Sequence, residues 1–149
     1  MELTLEQALQ KGIEAHKTGK VQEADRYYTA ILKAQPNHPD ANHNMGILAV
    51  GVGKVQEALP FFKKALEVNS SITQFWLSYI DALIKLDQMD NAKAVFDQAI
   101  RNGAKGSEFE KLGQRFDRSD FKKLNTQDPF QDVLKLLIKL YDKGKIEQV

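Results

Sequence analysis

The sequence predicts an all-α protein, an α-solenoid in which helix-turn-helix units stack on one another. Two observations carry that prediction. The hexapeptide Gly-Lys-Val-Gln-Glu-Ala occurs at Gly19–Ala24 and again at Gly53–Ala58, 34 residues apart, and a fixed period of that length marks a chain built by stacking copies of one small unit. Once that register is set, Gly12 recurs as Gly46, Ala15 as Ala49, Ala24 as Ala58 and Ala92, and Tyr28 as Phe62 and Phe96.

Each unit can be justified in order. Thr4 with Gln7 three residues on forms a capping-box pattern, which satisfies free amides at a helix start. Ala8, Leu9, Gly12, Ile13 and Ala15 then fall on one helical face. Thr18-Gly19-Lys20 ends that helix, Gly19 supplying left-handed backbone, and a second helix buries Val21, Ala24, Tyr28, Ile31 and Leu32. Pro36 and Pro39 mark the crossing to the second unit, residues 39–72, which turns at Gly51-Val52-Gly53 and carries Ala58, Phe62, Ala65 and Leu66 inward. Pro60 lies inside its second helix and removes one backbone donor, so a local bend or a late start is expected there. The third unit, residues 73–106, begins after Ser71, with Gln74 as a second capping-box partner. It uses Trp76, Tyr79, Leu83, Ala92, Phe96 and Ala99, with Asp87 replacing the turn glycine. The small residues are expected where helices cross closely, and Tyr28, Phe62 and Phe96 should fill the gaps between hairpins.

After Gly106 the period breaks. Ser107 with Glu110 opens a short amphipathic helix bearing Phe109, Leu112 and Phe116, and a polar linker runs on to Gln127. Residues 107–129 therefore read as an insertion. Residues 130–149 read as the first helix and turn of a partial fourth unit, with Val133, Leu136, Leu137 and Leu140 on its stripe and Gly144–Val149 echoing the hexapeptide. Because a turn leading to no partner helix has little purpose, the expectation is a chain cut from the N-terminal part of a longer protein.

Composition excludes several functions. A formal net charge of +1 exerts no global pull on nucleic acid or anionic membrane, and the apolar stretch Met45–Val52 is too short to span a bilayer. The absence of cysteine removes disulfides and thiolate metal sites. With no apolar signal core, a cytoplasmic protein is the expectation. His38 and His43, flanked by Asp40, do not have a metal-site spacing. Gly51-Val52-Gly53-Lys54 departs from a phosphate loop at Leu48 and Val55, and no nucleophile motif occurs. The expectation is therefore a non-enzyme with no catalytic residues, metal or cofactor.

The 34-residue units resemble the tetratricopeptide repeat family, through the glycines Gly12 and Gly46, the alanines Ala24, Ala58 and Ala92, the aromatics at 28, 62 and 96, Trp76 and Pro36. The third unit departs from the pattern with Ile80 in the glycine position. The resemblance implies a right-handed superhelix whose first helices line a concave groove that binds peptides or proteins. Pro36–Ala65 is also similar to the repeat regions of bacterial transferases of the protein O-GlcNAc type and of sulfotransferases, though no catalytic part of such an enzyme is present here.

Carried onto this chain, the family groove would comprise Leu9, Gln10 and Ile13, then His43, Asn44 and Ile47, then Leu77, Ser78 and Asp81, extended by His16, Val50 and Ile84. Members that clamp the C-terminal carboxylate of chaperones place Lys, Asn and Arg at positions held here by Leu9, Ile13, Asn44, Gln74 and Ser78; only Asn44 agrees. Without cations a desolvated carboxylate lacks compensation, so that use is rejected. Asn44 also matches the asparagine of main-chain-binding amide ladders, with Gln10, Ser78 and Lys135 on the equivalent rungs. The leading expectation is a non-catalytic module or scaffold for a protein or peptide partner. The alternatives are a self-associating spacer joined through its C-terminal helix, or the docking arm of a transferase. Residues 107–121, with Phe109, Phe116 and Phe121, could instead fill the groove.

Overall fold

In a computed structural model, residues 2–126 are described, with side chains as far as Phe116. Seven α-helices and no strand occur among the described residues: α1 Leu5–Lys17, α2 Val21–Ala34, α3 Pro39–Gly51, α4 Val55–Val68, α5 Thr73–Lys85, α6 Met89–Arg101 and α7 Ser107–Thr126. The chain divides into two units, Met1–Gly106 and Ser107–Val149. Within the first, α1 pairs with α2, α3 with α4 and α5 with α6, and the hairpins join through α2 on α3 and α4 on α5. The first helices of the hairpins also pack on one another, α1 on α3 and α3 on α5. The expected fourth unit, including Lys135 and the stripe Val133, Leu136, Leu137 and Leu140, lies outside the described residues, as does the side chain of Phe121.

Local chemistry fixes where the helices begin and end. The Thr4 hydroxyl accepts from the Gln7 amide at 3.1 Å while the Thr4 amide donates to Gln7 Oε1 at 2.9 Å, the reciprocal arrangement the sequence predicts. At the other end, Lys20 N–H reaches back to Ala15 C=O and Gly19 N–H to His16 C=O, with Gly19 at φ +79°. This is a Schellman ending, which ties off carbonyls that the helix leaves unpaired. It recurs as Lys54 to Ala49 around Gly53, Gln88 to Leu83 around Asp87 and Ala104 to Ala99 around Gly103, all with positive φ at the central residue. Asp87, at φ +58°, performs the glycine's task because a short polar side chain tolerates that region. A Gly53→Ala variant is expected to lose about 1–2 kcal/mol in urea denaturation, the usual cost of a Cβ in left-handed backbone. No atom stands within 4 Å to add a clash.

Three local expectations are corrected. No capping box forms at the third unit: Ile72 is the N-cap of α5 and makes no side-chain cap. The Ser71 amide, which a capping box would give to the Gln74 side chain, donates instead to Asn69 Oδ1 at 3.1 Å, as does the Ser71 hydroxyl at 2.6 Å, and Gln74 Nε2 donates to Ser78 Oγ. Pro60 does not delay α4, which runs unbroken from Val55 with Pro60 on its exposed side. Finally, α7 continues as helix to Thr126 through the stretch read as a polar linker, and within that unit Phe109, Leu112 and Phe116 are buried.

The core follows the period. Ala24, Ala58 and Ala92 have no exposed surface, and neither do Tyr28 and Phe62. Tyr28 lies across Gly12, and Phe62 across Gly46, so closely that a Cβ on either glycine would stand 2.6 or 2.5 Å from the ring. The aromatics thus fill the crossing inside each hairpin, and Tyr28 also reaches the next hairpin in a cluster with Ala15, Ala24 and Leu48. The third hairpin differs. Ile80 takes the glycine position and is itself fully buried, and Phe96 is only half-buried. A buried, branched side chain thus stands at the position that glycine leaves open to a ring in the first two hairpins. Tyr28 and its neighbour change together: its hydroxyl lies 3.5 Å from His16 Nδ1, and the next units carry phenylalanine (Phe62, Phe96) at the tyrosine position and Val50 and Ile84 at the histidine position. Removing both members of a polar pair leaves neither partner stranded.

Candidate functional site

The first helices are packed side by side, and the second helices α2, α4 and α6 make at most slight contact with one another. That asymmetry puts α1, α3 and α5 on the inner side of the stack. The nine residues singled out in the sequence all lie on these three helices, but their surroundings separate them. Gln10 and Asp81 are exposed; Leu9, Ile13, Asn44, Ile47 and Leu77 are half-buried; His43 and Ser78 are buried at 9% and 7% exposure. His16, Val50 and Ile84 are also half-buried. Leu9 serves the core as well, packing against both the Tyr28 cluster and the cluster of Ala8, Ile31 and Ala41.

His43 and Ser78 face each other across the α3–α5 junction, His43 Nε2 lying 2.7 Å from Ser78 Oγ. Gln74 Nε2 donates to the same oxygen at 3.2 Å. The His43 ring stacks on Phe75, with centroids 4.7 Å apart, and lies tilted against Phe62 at 5.8 Å. Burial holds the imidazole below its usual value of 6.5, against the smaller opposing pulls of the Asn44 amide and the Asp40 carboxylate. His38 serves a local purpose, its Nδ1 accepting from the Ala41 amide at 3.1 Å as the N-cap of α3.

Charge on this face is sparse. Asp81 accepts from Lys85 at 2.6 Å, an exposed pair one turn apart on α5, so the carboxylate and the nearest ammonium largely neutralise each other. What remains is a strip of half-buried aliphatic side chains (Leu9, Ile13, Ile47 and Leu77) flanked by the amides of Gln10, Asn44 and Gln74. Such a surface can cover apolar side chains and offer hydrogen bonds to a main chain.

Residues 43–107 match the tetratricopeptide repeat. The described helices have the fold of a tetratricopeptide solenoid, as comparison with solved structures bears out. The tetratricopeptide domain of Sgt2 from Aspergillus fumigatus superposes with a TM-score of 0.71 at 19% identity, covering 83% of this chain and 82% of that one. The first tetratricopeptide domain of Spaghetti (RPAP3), solved with the HSP90 peptide SRMEEVD, gives 0.68 at 21% identity over 75% of this chain and 89% of that one. MamA gives 0.60 at 20% identity over 66% of this chain, which spans about half (54%) of the MamA chain. No curated protein matches the sequence.

The buried pairing within this solenoid escaped the sequence reading, although the period contains its signal. Residues 35 apart stand on adjacent rungs of neighbouring first helices, which is the separation of His43 and Ser78. A histidine and a hydroxyl at that spacing in a 34-residue repeat are candidates to meet, whereas Leu9 has Asn44 at the same separation.

Proposed function

We propose that this solenoid is a non-catalytic interaction module that takes a protein or peptide segment along the inner face of α1, α3 and α5. The observation that carries this reading is the half-buried aliphatic strip beside exposed or half-buried amides on three adjacent helices. The segment it suits is one with apolar side chains and a hydrogen-bonding main chain. An acidic terminus of the kind seen with the Spaghetti domain is a poor match. Leu9 and Ile13 are aliphatic, Ser78 is engaged by His43, and Lys85 is paired with Asp81, so a desolvated carboxylate would find no free cation on these rungs.

The test is a variant carrying Asn44→Ala and Ile47→Asp, compared with wild type in capture of partners from a lysate of the source cells. Affinity for a captured partner is expected to fall at least tenfold, about 1.4 kcal/mol, with the helical circular dichroism unchanged. Equal capture by both proteins would move the binding surface off this face.

A further inference from the structure

Helices α4 and α6 both pack on α5 but make at most slight contact with each other. A furrow therefore runs between them on the outer side of the stack, with α5 as its floor. It holds a cavity of about 280 Å³, walled by Leu66 of α4, Trp76 and Tyr79 of α5 and Val95 of α6. Exposed polar side chains, among them Lys63, Glu67 and Gln98, form the rim. The aromatic floor belongs to this junction. One unit earlier the same positions are Asn42 and Met45; the Asn42 amide is spent on the carbonyls of Pro36 and His38, and Met45 packs against the Tyr28 cluster.

Most polar groups of the furrow are already engaged. Trp76 Nε1 donates to the Ser70 carbonyl at 2.8 Å, the Asn102 amide to the Gln98 carbonyl at 2.8 Å, and Glu67 pairs with Lys64 at 3.3 Å. Two groups are left over. Tyr79 is buried at 9% exposure, and no group among the described residues bonds its hydroxyl. A buried tyrosine ordinarily bonds that hydroxyl, so here the bond must be made through the side that Tyr79 turns to the cavity. Lys63 is the other: its ammonium has no counter-ion among the described residues.

Both groups can donate, and the oxygens of a carboxylate accept from both. The rings of Trp76 and Tyr79, with Leu66 and Val95, offer the apolar surface that a flat ring covers well. A cavity of about 150 Å³ holds benzene, so this one has room for a ring and a short arm. We propose that the α4–α6 furrow binds a small carboxylic acid bearing a single ring, with the ring on Trp76 and Tyr79 and the carboxylate between the Tyr79 hydroxyl and the Lys63 ammonium. The site lies apart from the inner face, and neither reading depends on the other.

The experiment titrates the intact protein with 3-phenylpropionate and, separately, with its uncharged amide, followed by proton–nitrogen NMR. Saturable shifts confined to α4, α5 and α6 around the cavity, the Trp76 indole N–H included, are expected with a Kd of about 1 mM, as suits so small a ligand. The amide should bind about fivefold more weakly, and Lys63→Gln should abolish that preference. Tyr79→Phe should weaken the acid by about tenfold. It should also leave the melting temperature unchanged or raised, because the hydroxyl removed strands no partner in the protein. Absence of saturable shifts at this cavity up to about 10 mM acid, an amide that binds as tightly as the acid, or Tyr79→Phe binding like wild type would each overturn the proposal. So would a clear fall in melting temperature in Tyr79→Phe, since the hydroxyl would then serve the fold. Lys63 is exposed, so Lys63→Gln tests the charge without touching the core.

Discussion

Phe62→Ala is expected to destabilise the solenoid by about 3–5 kcal/mol, the cost of emptying a fully enclosed aromatic site. Phe96→Ala, at the same place one unit later, should cost about 1.5 kcal/mol, since a half-exposed ring gives up less buried surface. The contrast has a structural cause. Phe62 is wholly buried and lies on Gly46, where the missing side chain lets the ring enter the crossing between α3 and α4. Phe96 belongs to the hairpin in which a buried isoleucine, Ile80, stands at the glycine position. Urea denaturation of both variants, read by far-ultraviolet circular dichroism, measures the difference. Equal losses would mean that the third hairpin is packed like the second.

Gly46→Ala is the complementary experiment, and should cost about 1–3 kcal/mol by overpacking. The added carbon would lie 2.5, 2.7 and 2.9 Å from three atoms of the Phe62 ring. That ring is enclosed and has no open direction in which to retreat. Gly51→Ala provides the internal control. It is in the same helix, has nothing within 4 Å of a built Cβ and has no positive φ, so alanine there should be neutral or stabilise by up to about 1 kcal/mol through helix propensity. Pairing Gly46→Ala with Phe62→Leu should recover part of the loss, because the smaller side chain vacates the contested space. If Gly46→Ala and Gly51→Ala behave alike, close helix crossing is not what the glycine supplies.

Much of this architecture could be read from residue types because the repeat shows each constraint more than once. Gly12 and Gly46, with Ala24, Ala58 and Ala92, identify the crossings, and Gly19, Gly53 and Asp87 the turns; the backbone at all three turns has positive φ. Sequence reasoning failed where two local solutions competed. The Ser71 amide could be taken by Gln74 in a capping box or by Asn69, and only the folded backbone shows that Asn69 takes it. The polar stretch at 117–126 reads as linker because it has few apolar anchors, yet it is free of proline and glycine and continues as helix. The inner face was found as a set of positions, but exposure could not be read from position alone. His43 and Ser78 share rungs with open residues and are closed off by each other and by Phe62 and Phe75.

The apolar character of α3 bears on how the chain is made. Ala41, Asn42, His43, Gly46 and Leu48 are all buried, and the helix has no wet side comparable to that of α2 or α6. During synthesis it leaves the ribosome before the segments that will shield it from one flank, α4 and α5, have emerged. Of the helices that pack on it, α1 and α2 are already out and can seat it. The first hairpin is thus a template that must be ready early, and a lesion there exposes a sticky nascent helix to its neighbours in the cell.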